Sequence, residues 1–227
     1  MDFYTSHTMR NYQNIRVRAY LQTSVVSDKF LPLDGILFYH FIRENFGAEE
    51  YTLARESNEK IYSGLKLPIL PCGMRNKDDA WFYACSFAQF PEDTIESSYD
   101  YSKRFDFQHA EYIQDKKAVV DIQRGKYKNY HITEYTRNAV YVDWFLNADK
   151  EKIENLLKFC THIGKKTSQG MGAVLRWEVE EWHSDWSIRG ENNKLMRAVP
   201  NEKSPYIYGL RPSYWHPRHQ YKCIIPL

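Results

Sequence analysis

Ile15, Val17, Ala19 and Leu21 alternate with Arg16, Arg18, Tyr20 and Gln22. A period of two predicts a half-buried strand with one apolar face and one basic, aromatic face. After it, Phe30-Leu31-Pro32-Leu33-Asp34-Gly35 leads into Ile36, Leu37, His40 and Phe41 at helical spacing. Asp34 is placed to cap that helix and Gly47 to end it. Further strands are expected over 61–70 and 80–90, with Trp81, Tyr83, Cys85 and Phe87 sharing one face of the second. Residues 91–114 are polar and weakly periodic, and read as an insertion. A long hairpin is expected next, with 119–122 and 130–135 flanking a turn at Arg124-Gly125-Lys126, then a strand over 139–146. The clearest helix signal is 149–162, where Ile153, Leu156, Leu157 and Cys160 make an apolar stripe that ends near Gly164. A loop from Lys165 to Gly172 and a strand over 173–182 follow. Beyond 185, Pro200, Pro205, Pro212, Pro217 and Pro226 interrupt any long element, so 185–227 is expected to be an irregular C-terminal extension.

Strand–helix–strand–strand, then strand–helix–strand, is the element order of an α+β, ferredoxin-like (RRM-like) sheet with insertions. The expectation is one domain over 1–227, with 91–138 inserted and carrying a basic β-hairpin thumb.

Composition narrows the class. The chain has 227 residues, and 31 Lys+Arg less 29 Asp+Glu gives a formal charge of +2. At 43% hydrophobic it is too apolar for disorder, and its charge excludes a histone-like polycation while permitting a local basic patch. Aromatic residues make up 16%, and Tyr and Trp suit surfaces that stack on bases or press on partners. Cys72, Cys85, Cys160 and Cys223 form no C-x-x-C pair and read as reduced core filler. Residues 1–10 lack an apolar segment of the signal-peptide kind, and no stretch approaches the roughly 18 apolar residues of a membrane span. A soluble cytoplasmic protein is expected.

Two segments carry candidate chemistry. In Gly164-Lys165-Lys166-Thr167-Ser168-Gln169-Gly170-Met171-Gly172, Gly170 and Gly172 permit unusual backbone angles. Lys165 and Lys166 supply charge there, and Thr167, Ser168 and Gln169 supply hydrogen-bonding groups that suit a phosphate backbone. It is no Walker loop, since Phe159 stands where the first glycine is needed. A plain helix-to-strand connection fits the spacing equally well. Over 116–137, Lys116, Lys117, Arg124, Lys126, Lys128 and Arg137 face Asp121 and Glu134, a local 6 − 2 = +4, with Tyr127, Tyr130 and Tyr135 interleaved. Cations and rings on an extended hairpin fit single-stranded RNA; a merely solvated hairpin is the plain alternative.

His40 has the chemistry of a general base, although its aromatic neighbours favour a packed histidine. His216-Pro217-Arg218-His219 with Cys223 offers too few ligands for a closed zinc site and fits a basic tail equally well. His109 and His131 have no evident partners. The sequence lacks H-E-x-x-H, G-x-S-x-G, G-x-G-x-x-G and zinc-ribbon patterns, so no metal or cofactor is expected.

Leu31-Pro32-Leu33-Asp34-Gly35-Ile36-Leu37 after a first strand resembles the opening of the RAMP superfamily of CRISPR-associated proteins. Gly164–Gly172 is similar to that superfamily's glycine-rich loop. Leu195-Met196-Arg197-Ala198-Val199-Pro200 and Arg211-Pro212-Ser213-Tyr214-Trp215 resemble one branch, the subunit that caps the crRNA 5′ handle in type IV effector complexes. The resemblance implies a non-catalytic RNA-binding subunit of an antiviral defence complex. Lys165, Lys166, Thr167, Ser168, Gln169, Gly170 and Gly172 would grip crRNA from the loop, and Arg124, Lys126, Tyr127 and Lys128 from the thumb. Backbone and large subunits would be its neighbours, and contact with target DNA stays open. Residues 91–114 match nothing in this pattern. The alternative within the superfamily is a metal-independent crRNA-processing endoribonuclease using His40.

Overall fold

The computed structural model describes residues 3–5, 11–46, 66–74, 77–112 and 120–226. The strands are β1 (Phe3–Thr5), β2 (Gln13–Leu21), β3 (Val25–Val26), β4 (Pro71–Met74), β5 (Lys77–Tyr83) and β6 (Ile95–Lys103). They continue with β7 (Tyr130–Asn138), β8 (Tyr141–Ala148), β9 (Val174–Glu181), β10 (Val199–Pro200), β11 (Ile207–Gly209) and β12 (Gln220–Ile224). Among the described residues, helices α1 (Leu33–Phe46) and α2 (Lys150–Leu157) accompany them in a mixed α/β structure whose strand pairs are antiparallel.

The central sheet has the order β8-β2-β9. The alternation read in the sequence holds: Ile15, Val17 and Ala19 of β2 and Val142, Trp144 and Leu146 of β8 are buried together. Leu33, Leu37 and Ile42 of α1 and Ile153, Leu156 and Leu157 of α2 cover them. Along the other edge of β8 runs an irregular stretch, residues 84–90. Ser86 N–H donates to Phe145 O (2.8 Å), Asn147 N–H to Ala84 O (3.0 Å), and Gln89 and Asp143 exchange both backbone bonds.

Asp149 caps α2 by accepting from Lys152 N–H at 3.3 Å, but the helix ends at Leu157. The expected continuation to 162 is replaced by tertiary pairing. His162 bridges Ala173, and Ile163 N–H donates to Gly172 O (2.8 Å), so these backbone groups serve the base of the loop.

The hairpin differs from expectation in its partner. Tyr130–Asn138 pairs with Ile95–Lys103, from Ile95↔Asn138 to Lys103↔Tyr130, and not with residues 119–122. Of that expected strand, 120–122 are irregular, and residue 119 lies outside the described residues together with Lys116, Lys117, Gly47 and 61–65. Both faces of β6 carry polar side chains and stay largely exposed, so no apolar alternation marks it in the sequence.

The C-terminal region is also more ordered than its prolines suggest. β10, β12 and β11 form a sheet in that order. Val199, Leu210 and Cys223 pack with Cys72, Ala80, Phe82, Ala84 and Phe87 into a second core. The 80–90 segment therefore has apolar residues on both sides. Tyr83 and Cys85 enter the first core, while Phe87, expected on their face, enters the second.

Where the two cores meet, three motif residues converge. Asp34 is fully buried; its Oδ1 accepts from Gly35 N–H (3.0 Å) and from Tyr214 Oη (2.5 Å). Burial raises the Asp34 carboxyl above the usual carboxylate range, against the opposing field of Arg197. Arg197, 1% exposed, donates to the carbonyls of Cys85 and Leu210 (both 2.9 Å) and of Tyr83, and lies over the Phe82 ring. Three of the four motifs that carried the family resemblance thus meet as a buried polar joint, the glycine-rich loop being the fourth.

Candidate nucleic-acid interface

The glycine-rich loop stands on β3. Lys165 N–H donates to Val26 O (2.6 Å) and Gly172 N–H to Ser24 O (2.8 Å). Gly164 and Gly172 have φ of +80° and +67°, and a Cβ at either would collide with a backbone oxygen, Val26 O or Ile163 O respectively. Only glycine combines that conformation with that approach. Thr23 Oγ1 completes the anchorage, donating to Gly170 O (2.7 Å) and accepting from Ala173 N–H (2.9 Å).

β3 also joins the loop to the hairpin, because Val26 pairs with Thr136 of β7 on one side and bridges Lys165 on the other. Tyr99 and Tyr101 of β6 meet the loop. Lys166 Nζ lies 4.1 Å over the Tyr101 ring, and Tyr99 Oη donates to Gln169 Oε1 at 3.4 Å. Loop and thumb, read separately in the sequence, form one continuous surface.

The lysines of the loop differ. Lys165 Nζ is 2.7 Å from Asp28 Oδ1 and 3.8 Å from Glu134 Oε2, and the Asp28 hydrogen bond holds its pKa above the ordinary lysine value. Its charge ties the loop to β3 and β7. Lys166, in the left-handed region at φ 58°, turns to the hairpin face and meets a ring there. Thr167–Gln169 form a short 3₁₀ turn between Lys166 and Gly170.

Beyond the loop contacts the hairpin ends in Arg124, Lys126, Tyr127 and Lys128, folded around a turn in which Asp121 Oδ1 accepts from Gln123 N–H (2.8 Å). The sequence reading missed the opposite arm. Lys103 Nζ donates to Lys126 O (3.0 Å), and Phe105 packs against both Tyr127 and Phe107. Over 103–108 and 120–129, five cations face Asp106 and Asp121, so 5 − 2 leaves +3 around an aromatic cluster. Tyr99 and Tyr101, at alternate positions, were the available sequence signal. Arg137, counted with the basic hairpin, is instead built into its root. It meets Glu96 at 3.2 Å and donates to Ser27 Oγ and Asp28 O. His131 has a partner, Ser102 Oγ at 2.7 Å from Nδ1.

The basic face of β2, and Arg176 beside it on β9, are neutralised by nearby carboxylates. Arg18 makes a bidentate pair with Asp143 (both 2.7 Å), Arg16 meets Glu180 at 2.9 Å, and Arg176 meets Glu178 at 3.0 Å. Three arginines thus meet three carboxylates.

His40 sits half-buried on α1, lining a cleft shared with the loop, where burial first and then Arg43 lower its pKa. Cys223, offered as a metal ligand, is buried with Sγ directed at the carbonyls of Tyr208 and Tyr221. All four thiols are buried; burial pushes Cys72 and Cys160 up to about 12 and Cys223 to about 11. Among the described residues, no helix is long and apolar enough to cross a membrane.

A comparison with curated proteins gives no match. The family model described as CRISPR type IV associated protein Csf3 matches residues 14–226, a span that takes in the buried Asp34–Arg197–Tyr214 joint, the glycine-rich loop and the hairpin. The chain belongs to the Csf3 family of type IV CRISPR-associated proteins.

Proposed function

We propose that this chain is a non-catalytic crRNA-binding subunit of a type IV effector ribonucleoprotein, capping the crRNA 5′ handle and docking the backbone and large subunits in the cytoplasm. The observation that carries the reading is the seating of the glycine-rich loop on the hairpin, with Lys166 over Tyr101. It joins loop polar groups, aromatic rings and the cationic tip into one track, the combination that binds single-stranded nucleic acid. A ferredoxin-like reading of the sheet accords with this. Residues 84–90 lie antiparallel on the outer edge of β8, so the order β9-β2-β8-(84–90) corresponds to strands 4-1-3-2 of a βαββαβ unit.

The test separates the two lysines. Lys166→Ala is expected to weaken binding of handle RNA and reduce the slope of log affinity against log salt by about 0.7, the single-strand value per phosphate contact. Lys165→Ala is expected to act mainly through loop anchorage, at about 0–1 kcal/mol of stability for an exposed ion pair. Binding by Lys166→Ala that equals wild type at several salt concentrations defeats the assignment.

The rival reading, crRNA cleavage, has its own observation: His40 lines the same cleft as the loop residues Thr167 and Ser168, where burial and then Arg43 shift its pKa down, in the direction of the neutral imidazole that a general base uses. Incubation with repeat RNA in EDTA decides between them. A discrete product that His40→Ala abolishes replaces the non-catalytic reading.

A further inference from the structure

We propose that the cleft between α1 and the glycine-rich loop receives a single unstacked nucleotide of the bound RNA; this deepens the RNA-binding reading and rests on it. The cleft encloses about 750 Å³, within the roughly 300–1,000 Å³ of small-ligand sites. Tyr39 and Arg43 line it from α1, Phe159 and His162 from the segment after α2, and Thr167 and Ser168 from the loop.

Three features select a nucleotide. First, Phe159 is 61% exposed at the cleft wall, a ring surface that a base would cover. Second, among the described residues no carboxylate lines the cleft, and Arg43 donates to the neutral Tyr39 Oη at 2.9 Å, leaving its charge available to a phosphate. The hollow lined by Phe41, Lys66 and Lys152 is different: it holds about 230 Å³ and has Glu44 in its wall. Third, the loop divides its side chains between two surfaces. Lys166 meets Tyr101 of the hairpin, while the next two residues, Thr167 and Ser168, line the cleft. A strand whose backbone crosses the loop from the hairpin side has its next base within reach of Phe159 and Tyr39.

Arg43 and Phe159 are both exposed, so their replacement leaves the cores intact. The probe is a set of handle RNA oligonucleotides, each with 2-aminopurine at one position, titrated with the full chain. One position is expected to change its emission on binding and to lose that response in Phe159→Ser. Arg43→Gln and Phe159→Ser are each expected to weaken binding by about 5- to 100-fold, the range for one lost base stack or a similar contact. The cleft assignment is overturned if both variants match wild type in affinity and in emission at every position while Lys166→Ala still weakens binding. Absence of any binding by wild type overturns the RNA reading and this inference together.

Discussion

Arg197→Met tests whether the C-terminal motif is structural. The methionine keeps an unbranched apolar stem over Phe82 but removes the guanidinium that donates to the Cys85 and Leu210 carbonyls, each at 2.9 Å. Tyr83 O retains Cys85 N–H as a donor, whereas the Cys85 and Leu210 carbonyls, and that of Ala198 (3.3 Å from Nε), lose the Arg197 bond in a site where Arg197 itself is 1% exposed. Each buried acceptor left without a partner costs about 1–3 kcal/mol. Asp34, whose carboxyl is opposed by burial and supported by the Arg197 field, loses that support as well. Relief of the guanidinium's own desolvation offsets part of the sum, leaving a net loss of about 3–5 kcal/mol, the range for removing one member of a buried charged network. For a chain of this length each kcal/mol lowers Tm by roughly 2–4 °C, so a fall of about 6–20 °C is expected by scanning calorimetry. Amide exchange should quicken first in β10 and β12. A Tm within about 1 °C of wild type would refute the reasoning, because it would mean that those hydrogen bonds contribute no net stability.

Gly172→Ala should destabilise the protein more than Gly170→Ala. Both positions have positive φ, but the added Cβ meets nothing within 4 Å at Gly170 and the Ile163 carbonyl at Gly172. Urea unfolding checks this, with roughly 1–2 kcal/mol expected for the left-handed conformation alone and a larger loss at Gly172; equal losses contradict it. The native thiols should resist labelling at about pH 8. With pKa values raised to about 12 for Cys72 and Cys160 and about 11 for Cys223, the reactive thiolate is scarce well below those values and grows only as pH rises toward them. Rapid stoichiometric reaction of native protein with a disulfide reagent counts against this. Tyr214→Phe removes the hydrogen bond to the buried Asp34 and should cost about 1–3 kcal/mol, read as a shift in the urea midpoint.

Local periodicity made part of the fold legible. The alternation in β2 and the apolar stripe of α2 reflect which side of each element meets the core, and that is fixed within a few residues of chain. The glycine-rich loop was visible for a similar reason, since glycine spacing reports backbone conformation directly. β6 was not legible, because both its faces are largely exposed and its pairing with β7 depends on residues 27 to 43 positions away, from Lys103↔Tyr130 to Ile95↔Asn138. The small C-terminal strands were hidden by prolines and by a buried arginine that resembles a surface residue until its acceptors are seen.

For the candidate interface, the sequence by itself determined that cations, rings and a glycine loop are present. Only the tertiary structure decided which charges remain for a ligand. Arg16 and Arg18 are cancelled by carboxylates of neighbouring strands, Arg176 by Glu178 two residues along its own strand, and Lys165 by Asp28 from far along the chain, while Lys166, the very next residue, turns to Tyr101. The physical reason is that electrostatic pairing depends on distance through space, which the order of residues does not record until the strands are paired.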